Sequence, residues 1–368
     1  MKNLEKTEFL KSISSVTDFG VLTTLVAETA ISTKDSMCFE GKTLLASYVY
    51  AENSTYKLVY TLIDRDGKQE SFVEDDGVLP TLFLSPDGRA FVSIVPYHPD
   101  KDLEISIPVF GRESTDLPKG NRPFTGDYIG TAGQFSIFYD VDFWSNTKPD
   151  KLLAIEFKDG NIKKKHTVKI PTPRNNKVFI ADDEIHLLAK IQEGWLHRQI
   201  DESGKIIRER RIKPSHEFFW QILSLSFERD SSILCKQDGR IFVETISEKG
   251  ECESNELINM QESFNSSWQP VRIAEDTFVI RFGMLFDGKT GNNGWFTIKN
   301  NQLLELFYSK DVNGYRNILT NEIIQMDREN LIISNLSKTI DNGYAVVFYP
   351  MTSREAKSKE VIILNRKL

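Results

Sequence analysis

Tyr56-Lys-Leu-Val-Tyr-Thr-Leu-Ile-Asp-Arg-Asp-Gly-Lys68 is the stretch on which the fold turns. A run of aromatic, aliphatic and β-branched residues meets a polar Asp-Arg-Asp-Gly step, and β-favouring residues resume beyond it. The same plan returns in Gly194-Trp-Leu-His-Arg-Gln-Ile-Asp-Glu-Ser-Gly-Lys205 and in Gly239-Arg-Ile-Phe-Val-Glu-Thr-Ile-Ser-Glu-Lys-Gly250. Gly294-Trp-Phe-Thr-Ile-Lys-Asn-Asn-Gln302 is a shorter version. Each reads as a strand, a turn and a second strand, which is a hairpin.

Outward from these hairpins, short strand-like runs fall into seven groups, at about 16–73, 79–117, 128–170, 177–212, 218–258, 270–308 and 315–368. Their spacing of roughly 40 to 60 residues is that of propeller blades. A lone four-stranded sheet cannot bury both faces, so neighbouring sheets must stack. The expected fold is therefore all-β: a single β-propeller over 1–368 with seven four-stranded blades, six or eight being the neighbouring counts. Residues 1–15 are expected to complete the last blade, with a short N-terminal helix as the competing assignment. A pair of β-sandwiches is the architectural rival. The chain resembles β-propellers at the level of fold, WD40-like in repeat plan but with no WD dipeptide series, kelch glycine pair or Asp-box series. Ser85-Pro-Asp-Gly88 resembles turns found in many bacterial propellers, and implies no activity.

Composition narrows the function classes. The formal charge of -7 would repel a phosphate backbone, so nucleic acid is not an expected partner. Lys163-Lys164-Lys165 and the Arg208, Arg210, Arg211 cluster are brief and read as solvated sheet edges. The 24 Phe favour half-buried pleated sheet over any ligand site. Cys38, Cys235 and Cys252 show no zinc-site spacing, and no metal or cofactor is expected. A Cys235–Cys252 disulfide is conceivable on adjacent strands, but an odd total favours reduced thiols. The amino end lacks an apolar leader core and no run is long enough to span a bilayer, so a cytoplasmic location is expected.

In a propeller, the connectors that leave one blade's outer strand for the next blade converge on one face. Those at 120–130, 171–176, 214–220, 262–269 and 310–317 combine aromatics with Arg, Asn, His and Gln. They nominate Arg122, Tyr128, Arg174, Asn176, His216, Trp220, Trp268, Gln269, Tyr315 and Arg316 as contacts for a protein partner or a polar ligand. The bland alternatives are packing between blades for Trp220 and Trp268, sheet capping for Tyr128 and Tyr315, and solvation for the arginines.

Catalytic signals are sparse. No His-Glu-x-x-His motif or Gly-x-Ser-x-Gly elbow occurs, and Asp287-Gly-Lys-Thr290 fails the phosphate-loop spacing. Asp64 to Glu70 echoes a calcium loop but is too short for one. Asp182-Asp183 and Glu275-Asp276 read as turn acids, and His186 and His197 share one blade without a known register. The expected function is a non-enzymatic binding or assembly protein presenting one propeller face. The alternative is a carbohydrate- or small-metabolite-processing enzyme with its site at the central channel.

Overall fold

The computed structural model describes residues 5–8, 10–18, 20–39, 41–50, 56–64, 67–74, 80–86, 88, 90–94, 127–140, 151–158, 161–170, 176–238, 240–259, 270–286, 289–309, 313–326, 331–339, 342–350 and 358–368. Its regular structure is antiparallel strand throughout. Six sheets carry four or more strands, three of them four-stranded, two five-stranded and one six-stranded, and a two-stranded pair spans 80–94. This is the blade architecture of a β-propeller, all-β with six blades among the described residues. A seventh four-stranded sheet is not present among the described residues.

Two boundaries differ from the sequence expectation. Gly20–Ala27, assigned above to the first blade, pairs instead with Glu360–Arg366 of the last sheet, and Leu10–Thr17 lies outside it as that sheet's edge. Gly314–Asn317 and Ile323–Gln325, assigned above to the seventh group, extend the sheet at 271–325. In both cases a hairpin is visible locally, whereas the sheet that accepts it is a long-range choice. The disulfide is absent: Cys38, Cys235 and Cys252 are free thiols.

The chain divides into two compact units, Val78–Gln237 with Ile241–Glu256, and Leu4–Gly77 with Leu257–Leu368. In the first, the sheet at 176–212 is buried on both faces. Ile185, Leu187 and Ile200 pack on Phe135, Ile137 and Leu152 of the preceding sheet. Leu188, Trp195 and Ile212 pack on Ile222, Ile233 and Ile246 of the following one. In the second unit the last sheet is sandwiched likewise, with Tyr344, Val346 and Phe348 facing Trp295 and Phe307, and Ala345, Val347 and Ile363 facing Leu45 and Val59. Such two-sided burial explains the unbroken apolar runs, each side chain contributing about 1.5–3 kcal/mol.

The hairpin turns that open the sequence reading have a second role. Gly67, Gly204 and Gly250 have φ of 79°, 87° and 85°, and their amides donate to Asp64, Asp201 and Ser247 carbonyls at 3.1, 2.9 and 2.9 Å. Each glycine lies against the outer strand of another sheet: Gly67 against Ser14, Gly204 against the Lys169 carbonyl, Gly250 against the Arg211 carbonyl. The Ser12 hydroxyl donates to the Gly67 carbonyl at 3.0 Å. Each turn therefore clasps the neighbouring blade, and only glycine fits both the backbone and the gap.

Polar staples reinforce the clasps. Arg210 Nε donates to His197 Nδ1 at 3.1 Å, while its terminal nitrogens donate to the Ser247 and Ser226 carbonyls at 2.8 and 2.7 Å and to Ser231 Oγ at 2.8 Å. Because His197 Nδ1 accepts, its Nε2 carries the proton and donates to His186 Nδ1 at 2.9 Å. Phe227 stacks on His197 with centroids 4.3 Å apart. Burial first, then Arg210 at both and His186 at His197, hold the imidazoles neutral, lowering His186 to about 4 and His197 to about 2. In the second unit Arg366 binds Glu305 through Nε at 3.0 Å and Glu322 at 3.0 Å, and Tyr344 donates to Glu305 at 3.0 Å.

Gly204→Ala is expected to cost about 1–3 kcal/mol in denaturant unfolding, from positive-φ strain plus the collision with Lys169. Arg366→Ala should cost about 3–5 kcal/mol, because it leaves the buried Glu305 carboxylate uncompensated. Below the ordinary histidine value of 6.5, the unfolded chain binds protons that folded His186 and His197 refuse. Stability is thus intact above about pH 6.5 and declines as pH falls through 4 toward 2, by roughly 5 kcal/mol at pH 4.5 when both histidines are counted. Unfolding free energies that stay flat between pH 7.5 and 4.5 would contradict a neutral pair.

Candidate functional site

Among the described residues, one connector places an imidazole on a buried carboxylate. Lys213-Pro-Ser-His216 leaves the edge strand Ile206–Ile212 for Glu217–Ser224, the first strand of the next sheet. Glu244, in Arg240–Ile246, projects from the face that also carries Phe242 and Ile246, and its side chain is fully buried. Its carboxylate is hydrogen-bonded to the Cys235 thiol and is met by three donors from the connector. Ser215 N–H reaches Oε2 at 2.9 Å, and His216 N–H and Nδ1 both reach Oε1 at 2.8 Å.

This arrangement fixes the imidazole. In the neutral ring, Nδ1–H donated to Glu244 leaves the lone pair on Nε2, which has no hydrogen-bond partner among the described residues. The ring stacks on Phe242 at 3.8 Å and 9°, and the side chain is 18 % exposed. The His216 nitrogen near Ser254 Oγ, at 3.1 Å, is again Nδ1. A relay that activates serine needs the acid and the hydroxyl on opposite ring nitrogens. Ser254 is therefore not activated in this geometry; what the site offers is an oriented acceptor, able to receive one hydrogen bond or one proton.

The neighbouring thiols are unreactive by environment. Burial, with the Glu244 charge, pushes Cys252 up to about 11 and raises Cys235 further, so neither is a thiolate at neutral pH. No group of three or more His, Cys, Asp or Glu among the described residues is arranged to hold a metal ion. No helix among them is long and apolar enough to cross a membrane.

The other nominated residues are dispersed in character. Tyr128 stacks on Phe83 at 4.8 Å and its hydroxyl lies 3.0 Å from Thr131 Oγ1; burial raises its phenol above the usual range. Tyr315 is a correction. It is 1 % exposed in the strand Gly314–Asn317, donates to Asn293 Oδ1 at 2.6 Å and packs on Trp295, so it belongs to the core and not to a surface patch. Arg316 is half-buried on the same strand, where a loop was expected. Trp220 lies in Glu217–Ser224 and Asn176 begins Asn176–Ala181, their side chains being outside the described residues. Arg122, Arg174, Trp268 and Gln269 lie outside the described residues altogether.

Glu244, His186 and His197 are not among the nominated residues, and Arg210, read above with Arg208 and Arg211 as a solvated sheet edge, is instead buried. Their common signal is a polar residue at an apolar position of an alternating strand, as Glu244 is within Ile-Phe-Val-Glu-Thr-Ile. That signal marks burial without revealing the partner.

No known sequence family matches this chain, and no curated protein does. Solved structures match at low identity. A prolyl endopeptidase is 12% identical over 97% of this chain, with a TM-score of 0.47, and this chain spans only 55% of its length. The β-propeller domain of the Trilobed protease from Pyrococcus furiosus is 9% identical, covering 88% of this chain and 93% of that one, with a TM-score of 0.48. BamB from Moraxella catarrhalis is 10% identical, covering 99% and 100%, with a TM-score of 0.41. None of these likenesses carries an activity to this chain.

Proposed function

We propose that this chain is a binding or assembly module in which His216, braced by Glu244, is a recognition anchor for a protein partner or a polar ligand. The proposal includes a ring of seven blades, the strand pair at 80–94 being the described part of the seventh. The observation that carries the reading is the use of Glu244. Burying a carboxylate costs several kcal/mol, and besides the Cys235 thiol this one gathers three donors from the connector at 215–216. Its effect is to hold one imidazole at a fixed angle near the surface. A rigid acceptor of this kind favours binding by removing the entropy cost of ordering the loop.

A second reading has its own support, because a carboxylate-oriented imidazole is also the form of a general base. On that reading the chain is an enzyme acting on a carbohydrate or another small metabolite, with Nε2 taking the proton. Ser254 is not its nucleophile, for the reason given above.

Quantitative affinity capture from native extract separates the two. Wild-type protein is expected to retain a defined partner set that His216→Ala loses at unchanged melting temperature. Glu244→Gln should weaken capture by about tenfold, since a neutral amide holds the two backbone N–H groups less tightly. Identical partner sets from wild type and His216→Ala would overturn the binding role. Turnover of a sugar or metabolite panel that disappears in His216→Ala would establish the enzyme reading instead.

A further inference from the structure

Asn161–Lys169 and Ile206–Ile212 are the last strands of consecutive sheets in the first unit, and neither has a strand on its outer side among the described residues. They adjoin one another. His166 Nε2 lies 2.8 Å from the Glu202 carbonyl, and the turn at Gly204 rests on the Lys169 carbonyl. Along these edges Lys163, Lys164, Lys165, Lys205, Arg208 and Arg211 are exposed. Lys163 is paired with Glu156 at 2.6 Å and Arg208 with Glu228 at 2.9 Å, while Glu209, the acidic residue within Ile206–Ile212, is bound to Arg198 at 2.6 Å. The result is a basic belt on a chain whose formal charge is -7.

Charged edges often serve only to prevent strand pairing. Two features argue for more here. Ile162, Ile206 and Ile207 are 43%, 37% and 51% exposed among the basic residues, which a purely protective edge has no reason to display. The clasp turns also meet these strands near their C-terminal ends, at Lys169 and Arg211, leaving the backbone of 162–165 and 206–209 open on the outer side among the described residues. Open ladder groups, apolar side chains and positive charge together complement one kind of occupant.

We propose that the two edges dock an acidic, extended segment of a partner protein by strand addition, with its carboxylates meeting the belt and its apolar side chains covering the isoleucines. Main-chain hydrogen bonds would supply affinity, and charge would select the partner and steer its approach. A lipid surface or a nucleic acid would meet the charges but leave the ladder groups unpaired. This surface is separate from His216 and does not depend on the role given to that residue.

The test uses the full chain and a fluorescein-labelled nonapeptide alternating glutamate with valine and threonine. A control peptide carries lysine in place of each glutamate. Saturable binding of the acidic peptide alone is expected, weakening by about tenfold as salt rises from low to physiological strength. Hydrogen exchange should slow in 162–165 and 206–209. A variant combining Lys164→Glu, Lys165→Glu, Arg208→Glu and Arg211→Glu should lose at least about tenfold in affinity. Should that variant misfold, the corresponding Gln variant gives the same readout with a smaller loss. The proposal is overturned by absence of saturable binding at low salt. It is equally overturned if phosphatidylserine vesicles or duplex DNA compete fully without amide protection, or if the belt instead joins two copies of this chain, seen as a concentration-dependent dimer that excludes the peptide.

Discussion

The structure depends on the contact between a glycine turn and the edge of a neighbouring sheet. Stacked sheets gain most of their stability from apolar faces, whose driving force is non-directional. Gly67, Gly204 and Gly250 add fixed points by seating a turn against the adjoining blade, Gly204 and Gly250 on its backbone and Gly67 on the Ser14 side chain. The approach is closer than any side chain would permit, and each turn is itself closed by an Asp or Ser cap at its first position, as with Asp64 Oδ1 accepting from Lys68 N–H at 2.8 Å. A hairpin designed for tightness thus becomes the element that fixes spacing between sheets.

Polar groups at the sheet interfaces follow from the same constraint. Where two blades are held at one spacing, a guanidinium can donate from all three of its nitrogens across the gap, as Arg210 does to His197, Ser226, Ser231 and Ser247. Ser247 is also the first residue of the Gly250 turn, so clasp and staple share a residue. Since a guanidinium does not give up its proton, the direction of the Arg210–His197–His186 chain is fixed, and the imidazoles act as spacers rather than proton carriers. Glu244 is the exception in purpose. Apart from the Cys235 thiol its donors lie in a connector, so its burial orders a loop rather than joining two sheets.

Much of this was legible beforehand, and the misses are instructive. The hairpins at 56–74 and 194–212 stand where their alternation and turn chemistry place them. Asp182 and Asp183 form a tight turn with φ of 50° and 62°, as acids in a two-residue hairpin loop should. Residues Gly20–Ala27 were assigned to the wrong sheet because sequence proximity favoured Lys42–Tyr50, while the partner at Glu360–Arg366 is more than three hundred residues away. Tyr315 was nominated for a surface because tyrosine in a polar connector resembles a contact residue. The short strand Gly314–Asn317 and the pairing with Asn293 bury it instead.

The sequence by itself determined the local units: where strands run, where they reverse, and which faces are apolar. These depend on side-chain period and turn stereochemistry, which act over a few residues. Tertiary structure alone decided which hairpin seats against which edge, that Glu244 meets His216 across twenty-eight positions, and that His186 meets His197 diagonally. The physical reason is that buried polar groups are paid for by a specific partner at hydrogen-bond distance, and only the assembled sheets bring that partner within reach.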